Sequence, residues 1–169
     1  MEGWVYPYVG GSRKGFFGQN DNFEFGFNGS NQIVCWSSVG HNLSWTFNNA
    51  TFPFSEWHHV ALVKTTSNIK MFIDGVQRAT RNNSSTLASS SYKFNIGGGV
   101  WDAGGNHVKQ KFDDVRVWNV AKTQAELQAG MNSELAGTEA GLIGYWRFDE
   151  GAAGGDNIAL PASIEDSSP

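Results

Sequence analysis

Apolar and polar positions alternate along most of the chain and predict short β-strands. The clearest case is 22–28, where Phe23, Phe25 and Phe27 occupy every second position. Because successive strand side chains point to opposite faces, these three rings are expected on one buried face. Similar segments bounded by Gly, Asn, Ser or Pro predict further strands at 3–8, 32–37, 43–47, 57–64, 69–73, 76–80, 92–96, 112–119 and 142–148.

Two local motifs add a hairpin and a helix to this pattern. Asp74-Gly75 stands between two predicted strands and indicates a two-residue hairpin, because both residues tolerate positive φ. Thr123 and Glu126 form a Thr-x-x-Glu capping box before AELQAGM, which predicts one short helix near residues 124–130. The spacing of the strands is typical of an all-β, two-sheet sandwich.

The length and composition of the chain limit how many domains it can form and which partners it can bind. With 169 residues and 40% hydrophobic content, the chain is expected to form one domain, 1–150. The tail 151–169 is rich in Gly, Ala, Ser and Asp, and we expect it to be flexible. A net charge of −4 argues against nucleic acid as a partner. No apolar run is long enough for membrane insertion, the N-terminal segment lacks the features of a signal peptide, and the lone Cys35 has no internal disulfide partner.

Four segments, taken in order, resemble the laminin-G-like branch of the concanavalin A-like lectin/glucanase superfamily. They are GWVYP, WHHVALV with the hairpin MFIDGV, IGG followed by FDDVRVWN and its capped helix, and GLIGYWRFDEG. The resemblance covers residues 3 to about 151. It implies a jelly-roll sandwich of two antiparallel sheets in a secreted or cell-surface protein.

The order of these segments is shifted relative to the family pattern. Family members usually open with a segment like GLIGYWRFDEG and a further strand, whereas here the similar segment is 141–150. Either the chain is cut from a tandem array, or its C-terminal strand fills the place of a missing first strand. A sandwich that lacks a strand exposes a sheet edge, so a homodimer or strand exchange is expected.

Catalysis is the least favoured function. Retaining glycosidases on this superfold place two carboxylates on one strand face, about 5–5.5 Å apart. No such motif is present, and Asp113 and Asp114 are neighbours, so strict alternation would point them to opposite faces. The adjacent His58 and His59 diverge for the same reason, which favours structural roles.

Calcium is the metal that the resemblance favours, because related domains often hold a calcium ion. Alternation would place Asp113 on the same face as Val115 and Val117, where its charge needs a cation or backbone amides. Asp149 and Glu150 would supply further carboxylates, with carbonyls and water completing the ligands. The alternative is that Asp113 only accepts hydrogen bonds from turn amides.

The best candidate for sugar binding is a glycine-rich loop. Trp101 lies in GGGVWDAGGNH beside Asp102, Asn106 and His107, so an aromatic ring is surrounded by polar side chains. A flat ring can stack on a pyranose while polar groups bind its hydroxyls. The alternative is that Trp101 closes one end of the sandwich as an apolar lid.

Two further tryptophans were not explained by the family-like segments. Trp36 and Trp45 are expected to line one sheet face as part of the same glycan site, unless their short strands bury them. Alternation also groups Phe112, Asp114 and Arg116 with Trp118 on a face of their own, which forms either a groove floor or an ion pair framed by aromatic rings. The four tryptophans inside the family-like segments are expected in the core, namely Trp4, Trp57, Trp118 and Trp146.

The sequence therefore predicts a non-catalytic carbohydrate-binding or adhesion module, with calcium as a stabilising ion and a polysaccharide or glycan as partner. A protein-binding or structural spacer domain without a small ligand is the alternative. A glycoside hydrolase-like enzyme comes third, because the fold permits that activity but the carboxylate motif is absent.

Overall fold

Two antiparallel sheets packed face to face form the fold. The computed structural model describes residues 1–38, 42–87, 89–98, 107, 109–149 and 166. Within these ranges there are eleven strands and one helix: β1 Glu2–Pro7, β2 Gly11–Gln19, β3 Phe23–Gly29, β4 Gln32–Ser37, β5 Leu43–Thr46, β6 His58–Lys64, β7 Asn68–Ile73, β8 Val76–Asn82, β9 Phe94–Ile96, β10 Gln110–Trp118, α1 Gln124–Gly130 and β11 Leu142–Trp146. The all-β sandwich with one short helix is confirmed.

The strand order places the N-terminal strand β1 and the last strand β11 on either side of β10. One sheet has the order β11-β10-β1-β6-β7-β8, and the other has the order β5-β4-β3-β2-β9. The family-like C-terminal segment forms β11, which pairs with β10 at the edge of the first sheet. Within the described residues, no helix has the length and apolar character needed to span a membrane.

A phenylalanine-rich core joins the sheets. Phe16 packs edge-on against Phe25 and Phe27, with ring centroids 5.3 and 4.7 Å apart. All three rings are fully buried. Each large buried ring removes apolar surface from water, and the edge-to-face geometry adds a favourable quadrupole contact.

Strand β2 was missed by the sequence prediction. Its sequence GSRKGFFGQ has no regular alternation, and Phe16 and Phe17 are both fully buried although they are neighbours. The register against β3 shifts twice, between Gly11 and Lys14 and between Gly15 and Phe17. Because a bulge inserts an extra residue into one strand, it hides the period of two on which the prediction depends.

The predicted hairpin and helix are confirmed. Asp74 and Gly75 have φ values of 53° and 71° between β7 and β8. The Oγ1 of Thr123 accepts from the Glu126 amide, and the Glu126 carboxylate accepts from the Thr123 amide. The helix buries Leu127 against the outer face of the six-stranded sheet, in a small cluster with Ala61, Val63 and Phe72.

A bulge interrupts β10 at its two aspartates. Phe112 pairs with Val5 and Asp113 with Trp4, but the register then shifts by one residue. Asp114 has a φ of 49°, a conformation that is uncommon for a residue other than glycine. The strict alternation predicted for FDDVRVWN is therefore wrong at this point.

The bulge changes the face on which each side chain lies. Phe112 packs against the core and Val115 belongs to it, although an odd number of positions separates them. Residues directly opposite in an antiparallel pair share a face, so Asp113 lies with Trp4 on the outer face and not with Val115. The predictions that Asp113 faces the valine side and that Phe112 shares a face with Asp114 are both wrong.

Arg116 is buried on the same outer face and connects several elements. Its guanidinium donates to the carbonyls of Gly130 and Ser133 at 2.9 and 2.6 Å, and it pairs with Asp114 at 3.1 Å. The hydroxyl of Tyr145 on β11 donates to Asp114 at 2.5 Å. These contacts join β10, β11 and the loop after the helix.

The adjacent histidines have separate structural roles, as the sequence predicted. His58 Nδ1 lies 2.9 Å from Asp74 and its Nε2 lies 2.8 Å from the Pro53 carbonyl. Burial opposes the protonated form of His58, but the bonds to Asp74 and Pro53 raise its pKa overall. His59 Nε2 lies 3.1 Å from Glu2 on the other face of β6. Both histidines are buried.

Replacing Arg116 with Met is expected to lower the free energy of unfolding by about 3 kcal/mol, because it removes one partner of a buried ion pair. Urea unfolding followed by circular dichroism measures this change. Arg147→Met is the matched control, since Arg147 forms ion pairs with Glu134 and Asp149 at the surface. Equal midpoints for the two variants would contradict a special role for Arg116.

Candidate functional site

An aromatic groove lies where the edge strands β9 and β11 of the two sheets come together. The ring of Phe94 on β9 stacks on that of Trp146 on β11, with centroids 5.4 Å apart and an interplanar angle of 12°. The groove has a volume of about 400 Å³, and its lining consists of Phe94, Asn95, Ile96, Phe112, Trp146 and Phe148. The strand pairing and the packing of the two sheets therefore assemble a surface from residues far apart in the chain.

The position of Trp146 depends on a glycine two residues earlier. Trp146 pairs with Val115 on β10, so its side chain emerges beside the core. A Cβ at Gly144 would lie 2.7 Å from the Trp146 ring, closer than van der Waals contact allows. Gly144 thus lets the indole fold down over β11 and present a ring at the groove.

A second pair of rings extends the groove. Phe112 and Phe148 have centroids 6.3 Å apart, with an interplanar angle of 32°. A Cβ at Gly97 would lie 3.5 Å from the Phe112 ring, so the chain leaving β9 passes directly over it. Phe148 has a φ of 59°, which is uncommon for a bulky residue and marks a sharp change of direction after β11.

The predicted sugar-binding loop begins and ends beside this groove. Trp101, Asp102 and Asn106 lie outside the described residues. His107 is described and exposed. A Cβ at Gly98 would fall on the His107 ring, so the two residues that flank the loop are in contact.

The prediction that Trp36 and Trp45 line one sheet face is wrong. Trp45 pairs with Ile33, a core residue, and packs against the core, whereas Trp36 pairs with Glu24. Ile33 and Trp36 stand an odd number of positions apart in regular strand β4, so the two indoles lie on opposite faces of the sheet. Trp36 is on the outer face, where the guanidinium of Arg13 lies 5.7 Å from its ring centroid.

The tryptophans expected in the core divide into three groups. Trp4 and Trp118 are half-buried and their indole nitrogens donate to Met131 and Glu2, both at 2.7 Å. Trp146 packs against the core and also lines the groove. Trp57 is 42% exposed, so the expectation of a core position is wrong for this residue.

Sequence reasoning missed Phe94 and Phe148 as groove residues and expected Phe112 on the face opposite to the one it occupies. Phe94, Phe112 and Phe148 occur in strand-like segments, where a phenylalanine is expected in the core. Phe94 lies on edge strand β9, Phe112 lies on β10 beside edge strand β11, and Phe148 directly follows β11. Their grouping depends on strand order. No local signal in the sequence gives that order.

Asp113 and Asp149 directly follow the groove residues Phe112 and Phe148 in sequence, and together with Asp114 they gather negative charge. Burial raises the pKa of Asp113, and the neighbouring carboxylates of Asp114 and Asp149 raise it further. Asp149 accepts a hydrogen bond from Arg147 Nε at 3.0 Å. Glu150 lies outside the described residues. In the ranges that the structure describes, no group of three or more acidic, His or Cys side chains is arranged to hold a metal ion.

The fold and the aromatic edge define a lectin-like β-sandwich domain. Residues 1–128 match the model of the Laminin_G_3 family of the concanavalin A-like lectin/glucanases superfamily. This match covers well over half of the chain, so the chain belongs to that family. The resemblance found in the sequence is confirmed. No curated protein matches the chain in sequence.

Solved structures share the fold at low sequence identity. A protein from Bacteroides ovatus provisionally identified as carbohydrate-binding has a TM-score of 0.76 and 19% identity, over 98% of this chain and 48% of its own. Domain 4 of an extracellular arabinanase from Geobacillus stearothermophilus, solved with arabinotriose, has a TM-score of 0.55 and 17% identity, over 76% of this chain and 63% of its own. This chain therefore spans about half of the first structure and less than two thirds of the second.

Proposed function

We propose that this chain is a non-catalytic carbohydrate-binding module and that the groove between β9 and β11 is its glycan site. The observation that carries the proposal is the pair of stacked rings, Phe94 and Trp146, at the meeting edge of the two sheets. The two structural neighbours support it, since one is provisionally identified as carbohydrate-binding and the other was solved with arabinotriose.

The chemistry of the groove suits a sugar better than a wholly apolar ligand. Aromatic faces stack on the apolar face of a sugar ring, while the Asn95 side chain offers both a donor and an acceptor for hydroxyls. The predicted polar loop with Trp101, Asp102, Asn106 and His107 starts and ends beside the groove. We propose that this loop supplies further hydrogen bonds to the glycan.

The engagement of Asp114 supports a non-catalytic role. One of its carboxylate oxygens accepts from Tyr145 and the other pairs with Arg116. A catalytic carboxylate must be free to exchange a proton or attack a sugar carbon. Asp114 is held in a structural network and is therefore unsuited to work with Asp113 as an acid and nucleophile pair.

We also propose that the module acts outside the cell, as a targeting or adhesion part of a larger protein. The arabinanase whose domain 4 shares this fold is described as extracellular. Self-association through a sheet edge stays a prediction. It is consistent with the 54% exposure of Ile143 on edge strand β11, although the Tyr145 amide of that strand already donates to Asp166.

Calcium is a separate proposal that rests on Asp113. Its carboxylate is partly buried beside two other carboxylates, Asp114 and Asp149. A cation bound by Asp113 and Asp149, with Glu150 and backbone carbonyls, would offset this repulsion. The alternative is that Asp113 accepts only backbone hydrogen bonds, and the one at Asp114 already favours its charged form.

The glycan proposal predicts that Trp146→Leu weakens binding of a responsive oligosaccharide about tenfold, because Leu is apolar but has no flat ring face. A screen of arabino-, xylo-, cello- and galacto-oligosaccharides would first identify a ligand, and calorimetry would give the dissociation constant. Trp36→Leu is the matched control on the far face of the other sheet and is expected to bind normally. Absence of glycan binding by the wild type, or equal weakening by both variants, would contradict the proposal.

The calcium proposal predicts a higher unfolding temperature after excess Ca²⁺ is added to chelated protein. A ligand at about 100 times its dissociation constant adds about 2.7 kcal/mol, or roughly 5–10 °C for a chain of this size. Magnesium at the same concentration should act less, because Mg²⁺ requires near-ideal octahedral geometry and gives up its bound water reluctantly. An unchanged midpoint in the wild type, or a full shift in Asp113→Asn, would argue against this site.

A further inference from the structure

A second aromatic surface lies on the outer face of the six-stranded sheet, away from the groove. Tyr6 contacts both Tyr8 and Trp57, with ring centroids 5.1 and 5.5 Å apart. Trp57 is 42% exposed, and the two tyrosines are half-buried. We call these three residues together with Lys109 and Lys111 the tyrosine–lysine platform.

The backbone fixes the positions of the aromatic rings. Tyr6 lies near the end of β1 and pairs with Lys111 on β10. Trp57 directly precedes β6, and the amide of Ser55 donates to the Pro7 carbonyl at 2.8 Å, which holds the chain before Trp57 against the end of β1. Tyr6 therefore stands on a paired strand, and Tyr8 and Trp57 directly flank the paired strands β1 and β6.

Two cations are held over these rings. Lys109 Nζ lies 4.7 Å from the Tyr8 ring centroid, and Lys111 Nζ lies 4.9 Å from that of Tyr6 and 6.0 Å from that of Tyr8. Both lysines are exposed. Neither forms an ion pair with an acidic group in the part of the chain that the structure describes.

The positive charge of Lys109 and Lys111 is opposite in sign to the net charge of the chain. The chain has a net charge of −4, so general attraction of anions is not expected. Two acidic residues are close to the platform in strand register or in sequence: Asp113, which pairs with Trp4 on the same face, and Glu56, which precedes Trp57. A ligand for the platform must place its anionic groups at the lysines and an apolar face on Trp57.

We infer that the platform is a second saccharide site, specific for acidic sugars of the uronate class. A uronate ring offers an apolar face for stacking on Trp57 and a carboxylate for the ammonium groups of Lys109 and Lys111. The inference does not rest on the groove, because the two sites share no residue and lie on different parts of the sandwich. A chain with both sites would bind an acidic polysaccharide at the platform and a second glycan segment at the groove.

Affinity electrophoresis or calorimetry with polygalacturonate tests this inference, with fully methyl-esterified polygalacturonate as the neutral comparison. We expect the wild type to bind the acidic polymer about tenfold more tightly than the ester and to lose affinity as NaCl rises. Trp57→Ala is expected to weaken binding about tenfold. Because Trp57 is 42% exposed, the variant is expected to keep the fold, and its unfolding temperature checks this point.

Lys111→Gln and Lys70→Gln form a matched pair, since both remove one positive charge from the outer face of the same sheet. Lys70 lies on β7, three strands away from Lys111 on β10. Only Lys111→Gln should weaken binding of polygalacturonate, by about fivefold. Trp146→Leu should leave it unchanged, which separates this site from the groove. No binding by the wild type, equal binding of the ester, or equal effects of the two lysine variants would overturn the inference.

Discussion

The pairing of the buried Arg116 guanidinium is the interaction on which the β10–β11 edge of this sandwich depends. A buried cation must be paired and hydrogen-bonded, and here its partners lie on separate elements. It meets the carbonyls of Gly130 and Ser133 after the helix, and the carboxylate of Asp114 in the bulge. The strand that carries Arg116 is thereby tied to the segment that leads into β11.

The bulge at Asp114 and the buried charge of Arg116 depend on each other. Asp114 adopts positive φ and reaches both Arg116 and the Tyr145 hydroxyl, so that β11 is fastened to β10 by side chains as well as by the backbone ladder. The same irregularity keeps Phe112 on the core side, where it lines the groove. A regular β10 would turn Phe112 or Val115 outward. The groove therefore exists because the strand is not regular.

Local patterns predicted much of the fold. The Phe23, Phe25 and Phe27 alternation, the Asp74-Gly75 hairpin and the Thr123–Glu126 capping box each depend on residues close in sequence. Features that depend on bulges were not predicted, as β2 shows, because an inserted residue removes the period of two. A bulge in β10 likewise places Asp113 on the face opposite to the expected one.

Which residues form the candidate site depends on the order of the strands in the two sheets. No short segment of the sequence specifies that order. Phe94 and Trp146 belong to different sheets, and only the packed sandwich brings them together. Trp36 and Trp45 were assigned to one face because the register of β4 against β5 was unknown. The family resemblance predicted the architecture well. It gave no information on which aromatic side chains remain exposed after the sheets pack.

The most direct measurement of the central claim is an NMR titration of the ¹⁵N-labelled chain with the oligosaccharide that binds most tightly in a screen. If the groove is the glycan site, the largest amide shifts will fall in β9 and β11, and the indole signal of Trp146 will shift with the same dissociation constant. Shifts confined to the outer face around Trp36, with β9 and β11 unchanged, would contradict the account.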